Sequence, residues 1–186
     1  MDLNLAGKTV IVTGGGSNIG RAIALGFAKE GANVVIAEID EMQGNKVAEE
    51  ASVGGGSAIT IKTDVTDMES VMVMVKRTLE EFGKLDVLVN NVGWVMYNTF
   101  RRKSLVECDR ELGLNVWSTL NCTKAVTDHM IERKYGKIIN ISSTAGLFGL
   151  PRVAVYSLCK GGIISFTKSL ARELGRYGIN VNAVCP

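Results

Sequence analysis

With 186 residues, 46% of them hydrophobic, the chain has material for one domain with a substantial core. Its 21 basic and 19 acidic side chains leave a net charge of +2, too small for a nucleic-acid binder, and the longest basic run, Arg101-Arg102-Lys103, reads as a solvated helix face. Four scattered cysteines (Cys108, Cys122, Cys159, Cys185) and a single histidine, His129, exclude a zinc site and a disulfide framework. No leader pattern opens the chain and no apolar run reaches a membrane span, so the expectation is a soluble, cytoplasmic protein with no metal, no membrane and no nucleic-acid partner.

In chain order, residues 8–13 are apolar and β-branched on consecutive positions, as in a strand buried on both faces. Residues 14–18 form a glycine-rich break, and 19–30 then take helical spacing through Ile23 and Phe27, Ala24 and Ala28. Further strands are predicted over 33–38, 58–63, 85–90, 137–142 and 179–184, with helices filling the gaps, most clearly over 69–82, 112–133 and 155–177. Gly54-Gly55-Gly56-Ser57 follows a helix and enters a strand, the wrong order for a phosphate cradle, and reads as a turn. This alternation predicts an α/β fold: a doubly wound parallel sheet with helices on both faces, Rossmann-type, as one domain over 1–186.

The segment Thr13-Gly14-Gly15-Gly16-Ser17-Asn18-Ile19-Gly20 lies between the first strand and the first helix. A helix N-terminus presents unpaired N–H groups and partial positive charge, and small residues let the backbone approach a pyrophosphate, so Gly14, Ser17, Asn18, Ile19 and Gly20 are expected to hold a dinucleotide. Glu38 ends the second strand, where a carboxylate accepts from both adenosine ribose hydroxyls and repels a 2′-phosphate. Ser17 and Ile39 supply no cation beside it. NAD is therefore expected over NADP. Asp40 is an alternative ribose reader that strand alternation turns away.

From this point the pattern resembles the short-chain dehydrogenase/reductase family over essentially the whole chain. The family's T-G-x-x-x-G-x-G appears as Thr13 to Gly20, with Asn18 in place of the middle glycine; Asn tolerates left-handed dihedrals best among the other residues. Asp64-Val65 resembles the adenine-binding pair, and Asn90-Asn91-Val92-Gly93 the N-N-A-G motif, which implies cofactor contacts at Asp64, Val65, Asn91 and Gly93. The catalytic Asn, Ser, Tyr and Lys of the family match Asn115, Ser143, Tyr156 and Lys160, with Ser142 a structural neighbour. By resemblance Ser143 positions the substrate oxygen, Lys160 holds the nicotinamide ribose and Asn115 keeps a water in a proton path. The helices over 112–133 and 155–177 would pair between subunits in a homotetramer. Family members continue past the position of Pro186 with a further strand and a substrate lid. The resemblance therefore implies a chain truncated after the sixth strand, binding NAD weakly and turning over poorly until the remainder is supplied.

The spacing of Tyr156 and Lys160 has its own physical reading. Four residues apart on one helix, they share a face. An ammonium about 4 Å from the phenol, at an effective dielectric near 20, favours the phenolate by about 4 kcal/mol, enough to lower its pKa by about three before desolvation opposes it. Tyr156 is thus expected to act as general acid/base while hydride passes between NAD and a secondary alcohol or ketone. Candidate walls of an apolar substrate pocket are Trp94, Met96 and Tyr97, then Leu147, Phe148 and Leu150, with core packing an equal reading of the leucines. The wording around Trp94 and Cys159 to Gly162 is also similar to dehydrogenases of alicyclic hydroxyacyl thioesters. Competing readings are a 3-oxoacyl-thioester reductase using NADPH and a non-catalytic NAD-binding regulatory protein. A hydrolase would need a G-x-S-x-G elbow, and a P-loop phosphotransferase a G-K-[S/T] where Gly20 is followed by Arg21-Ala22.

Overall fold

The computed structural model describes residues 3–53 and 56–186. The six apolar runs form β1 (Thr9–Thr13), β2 (Asn33–Glu38), β3 (Ser57–Lys62), β4 (Val87–Asn90), β5 (Gly136–Ile141) and β6 (Ile179–Val184). They lie in one sheet of order β3-β2-β1-β4-β5-β6, every neighbouring pair parallel. β1 is buried at all five positions. Its side chains alternate between two cores: Ile11 packs with β4 and the helices of one face, Val10 and Val12 with those of the other.

The first core is closed by α3 (Met68–Phe82) and α5 (Ser118–Arg133) through Met74, Val126 and Met130, with Leu174 at the end of α7 (Ala154–Leu174). The second is closed by α1 (Asn18–Lys29) and α2 (Glu41–Val53) through Ala24, Ala28, Val47 and Ala51. The helices therefore cover both faces, as the alternation predicts. The strand order reverses between β1 and β4, which opens a crevice at the carboxyl ends of those strands.

Several boundaries differ from the expected ones for local reasons. The helix predicted over 112–133 begins earlier, as α4 (Leu105–Leu112), because Ser104 and Glu107 form a reciprocal capping box. A π-helical segment, Gly113–Trp117, then joins α4 to α5, a widening that a 3.6-residue period does not flag. Helix α7 gives way to a 3₁₀ turn, Gly175–Tyr177. β4 starts at Val87, two residues later than expected, although Asp86 already bonds the flanking strands through its backbone and sets its carboxylate on the Thr9 N–H and Arg133 at 3.0 and 2.9 Å. Gly44 lets α2 lie close on β3; a Cβ there would come within 2.4 Å of Thr60. Of the predicted 54–57 turn, Gly54 and Gly55 fall outside the described residues. The basic triplet is not one solvated face: Arg101 and Arg102 are exposed, whereas the Lys103 side chain is buried against Glu111.

Candidate active site

The glycine loop leaves β1 with two left-handed residues, Gly14 (φ 61°) and Asn18 (φ 46°), so Asn does serve at the substituted position. Gly20 brings α1 against the loop; a Cβ on it would lie 2.0 Å from the Gly14 carbonyl oxygen. Ser17 caps α1 with extended backbone and no side-chain cap bond, leaving first-turn N–H groups at the mouth of the crevice. The Thr13 hydroxyl donates to Val89 O and accepts from the N–H groups of Asn91 and Val92, while Asn91 Nδ2 donates to Thr13 O and Gly14 O at 3.0 and 3.2 Å. These bonds tie the loop to the end of β4.

The crevice encloses about 340 Å3, lined by Gly14, Ser17, Asn18, Ile19, Gly20, Glu38, Asp64, Val65, Asn91 and Gly93 together with Thr63, Val92 and Leu114. Glu38 is fixed there by the N–H groups of Gly16 (3.1 Å) and Ile39 (2.9 Å) on its two carboxylate oxygens. Asp40 faces the other way, accepting from Met42 and Gln43 at the start of α2. Asp64 receives the Thr66 N–H and hydroxyl, a tight turn that leaves it on the rim.

A second cavity of about 470 Å3 adjoins the first through Ile19, Asn91 and Gly93. Trp94, Val95, Ser142, Ser143, Tyr156 and Lys160 line it. Ser142 is structural, its hydroxyl bonded to Lys160 O at 2.8 Å, which pins β5 to the first turns of α7. Ser143 follows, oriented by the Ala145 N–H on its Oγ and hydrogen-bonded to the Tyr156 side chain. Gly146 allows the short α6 (Ala145–Phe148) to press on α7; a Cβ there would lie 2.6 Å from the Lys160–Gly161 peptide.

Electrostatics correct one expectation. Burial pushes the Tyr156 phenol above its ordinary value, and the hydrogen bond with Ser143 opposes this. Lys160 Nζ lies 5.6 Å from the ring centroid, donates to Ile141 O at 2.8 Å, and is itself lowered to about 8 by burial. Asn115 is held firmly: its Nδ2 donates to Trp94 O (2.7 Å) and Glu111 O (2.8 Å), and its Oδ1 accepts the Trp94 N–H, so the carboxamide braces the chain beside the cavity. Of the candidate pocket walls, Trp94 lines this cavity and Tyr97 is near enough to Tyr156 to act on its phenol, whereas Leu147, Phe148 and Leu150 are exposed beside α6, which buries Ala145.

The short chain dehydrogenase family model matches residues 8–186. The chain belongs to the short-chain dehydrogenase family. An oxidoreductase of Thermotoga maritima of uncharacterised specificity is 42% identical over 185 residues, 99% of this chain and 72% of that protein. A (2S)-[(R)-hydroxy(phenyl)methyl]succinyl-CoA dehydrogenase subunit of Thauera aromatica is 38% identical over 184 residues (99% and 74%). A 3-oxoacyl-[acyl-carrier-protein] reductase of Synechocystis is 39% identical over 183 residues (98% and 74%). The crystal structure of an NAD+-bound xylitol dehydrogenase superposes with a TM-score of 0.95 at 36% identity, covering 98% of this chain and 70% of that one.

As a short-chain dehydrogenase, the protein is an oxidoreductase that uses a nicotinamide cofactor on a small-molecule substrate. The residues present fit such a dinucleotide. The crevice has bare helix N–H groups, and the adjoining cavity a Lys160 ammonium with three donors and a single protein carbonyl on it. Between them Gly93 leaves open the space that a Cβ would fill 3.0 Å from Lys160 Nζ. No helix is long and apolar enough to cross a membrane, and no cluster of three metal-ligating side chains occurs among the described residues. The three cysteines Cys108, Cys122 and Cys159 are buried free thiols, and His129 accepts the Leu85 N–H between α5 and the start of β4. Sequence reasoning missed the Thr13 bridge and the Lys103–Glu111 pair. The first had a signal, the threonine that opens the glycine motif; the second had none, since a buried lysine beside two exposed arginines looks like any basic run.

Proposed function

We propose that the protein is an NAD-dependent dehydrogenase/reductase exchanging hydride with a secondary alcohol or ketone, with Tyr156 as general acid/base. The observation that carries this reading is the meeting of two cavities, one holding Glu38 at its far end and the other Ser143, Tyr156 and Lys160. The nicotinamide, when bound, supplies the hydride acceptor or donor. Tyr156 Oη takes the alcohol proton in oxidation and returns it in reduction. Ser143 Oγ holds the same oxygen and stabilises the phenolate. Lys160 Nζ, kept in place by Ile141 O, has donors left for ribose hydroxyls.

Glu38 supports NAD. Gly16 and Ile39 occupy part of its accepting capacity, and a carboxylate retains sites for ribose hydroxyls while repelling a 2′-phosphate. Arg21, one residue past the loop, lies outside the crevice lining and forms a two-pronged surface bond to Glu50 (2.6 and 2.9 Å). Kinetics with both cofactors test this. The expected kcat/KM favours NAD by about 100-fold, and Glu38→Ala removes most of that preference by weakening NAD, consistent with about 1.5–3 kcal/mol for hydrogen bonds to a charged group. A parent enzyme preferring NADP would overturn it.

A second reading is reduction of a 3-oxoacyl thioester with NADPH; the Synechocystis relative's name favours its substrate half, and the Thauera relative is named for a CoA thioester. Glu38 opposes its cofactor half but not its substrate half, so acyl-CoA alcohols belong in the substrate panel. We also read the chain as a cytoplasmic homotetramer. Exposed Leu105, Val106, Trp117 and Leu158 on the α4–α5 and α7 faces support the assembly, which sedimentation velocity would measure.

A further inference from the structure

Lys103 precedes α4 and Glu111 lies in its last turn; their side chains are 1% and 0% exposed, and Nζ and Oε2 are 2.5 Å apart. Replacing such a pair by apolar side chains of similar volume is often neutral for stability or better, so stability alone gives little reason for it. Its hydrogen bonds give another. Glu111 Oε1 accepts the Met96 N–H at 2.8 Å and Lys103 Nζ donates to Met96 O at 3.1 Å, so the pair grips both polar groups of one residue. Two positions earlier, Asn115 grips both polar groups of Trp94 in the same way.

The two grips are joined. The Glu111 carbonyl accepts Asn115 Nδ2 at 2.8 Å and the Cys159 thiol at 3.8 Å, and Cys159 precedes Lys160 on α7. Gly93, Trp94 and Val95 form one wall of the catalytic cavity, opposite Tyr156 and Ser143, whereas Lys103 and Glu111 do not reach the cavity at all. A continuous set of hydrogen bonds thus runs behind that wall and anchors it to the helix carrying Tyr156 and Lys160.

We infer that Lys103 and Glu111 are positioning residues: together they set the distance between the Gly93–Val95 wall and Tyr156, and so the seat of the alcohol. This rests on the proposed role of Tyr156. Misplacement of a reacting group by about 1 Å can cost about 100-fold in rate.

The test is the double variant Lys103→Met with Glu111→Leu, which leaves no unpaired buried charge, beside the single Glu111→Gln, which does and is expected to unfold more easily. The double variant gives up both bonds to Met96 and should melt somewhat below the parent but above Glu111→Gln, and it should bind AMP as the parent does, which reports a folded Glu38 end of the crevice. Its kcat/KM for the alcohol should fall at least tenfold. In a Trp117→Phe background, acrylamide quenching of Trp94 fluorescence should also rise at least twofold, a readout of the wall that needs no turnover. A folded double variant with parental kinetics and parental quenching would overturn the inference. A parent inactive on every alcohol would refute the proposed function instead, and the quenching result would still decide this one.

Discussion

At the scale of single residues, two opposed effects act on the Tyr156 phenol: burial raises its pKa and the Ser143 hydrogen bond lowers it. Oxidation of an alcohol needs the deprotonated form, so its rate should climb on the alkaline side. Ser143→Ala removes the influence that lowers the pKa, and its oxidation profile should move to higher pH as well as lower rate; a shift to lower pH would contradict this. Lys160 makes the complementary case. Its pKa, 10.5 in the open chain, falls to about 8 when the ammonium is buried. Between these values the unfolded chain binds more protons than the folded one, so stability rises with pH there, and the cost is fully felt below pH 8. That cost is up to about 3 kcal/mol. Lys160→Met should therefore lose turnover while melting at or above the parent at pH 7, with the difference shrinking toward pH 10. Calorimetry across that range checks it. A variant that melts lower at every pH would show that the bond to Ile141 O outweighs burial.

At the scale of elements, the β1–loop–α1 unit is held by close approach. Gly20→Ala would drive a Cβ into the Gly14 carbonyl, so both NAD binding and thermal stability should fall, by calorimetric titration and melting; intact NAD affinity would contradict the packing. This unit was legible in the sequence because its parts are local: a β-branched run, a break of small residues, then a helical period. β2 and β6 were legible for the same reason. The α4–π–α5 rod was only partly so, because a π turn at Gly113–Trp117 keeps the hydrophobic period on either side while shifting its phase. The walls of the substrate cavity were least legible. Which side of α6 faces Tyr156 depends on Gly146 meeting Gly161, a contact between segments that no spacing reveals, and the exposed Leu147 and Phe148 follow from it. Four-residue spacing in the Tyr156–Lys160 pair fixes a shared face, but not that the ammonium bonds to Ile141 O or that burial is the largest influence on each group.

At the scale of the molecule, sheet topology places the chemistry. The reversal of strand order between β1 and β4 opens one crevice, and the strand ends around it deliver the loop from β1, Glu38 from β2, Asp64 after β3, Asn91 after β4 and Ser143 after β5. Helix α7 then brings Tyr156 and Lys160 to the β5 side, so that the nucleotide end and the reacting end share Ile19, Asn91 and Gly93. In the proposed reaction, proton transfer at this junction runs through Tyr156. It is tested most directly by following reduced-nicotinamide absorbance over a panel of secondary alcohols, acyl-CoA alcohols included, with the parent and with Tyr156→Phe. The parent should turn over with NAD, and the variant should lose about 100- to 10,000-fold in rate while keeping NAD affinity within a few-fold. A variant that turns over every accepted alcohol at the parental rate would contradict it.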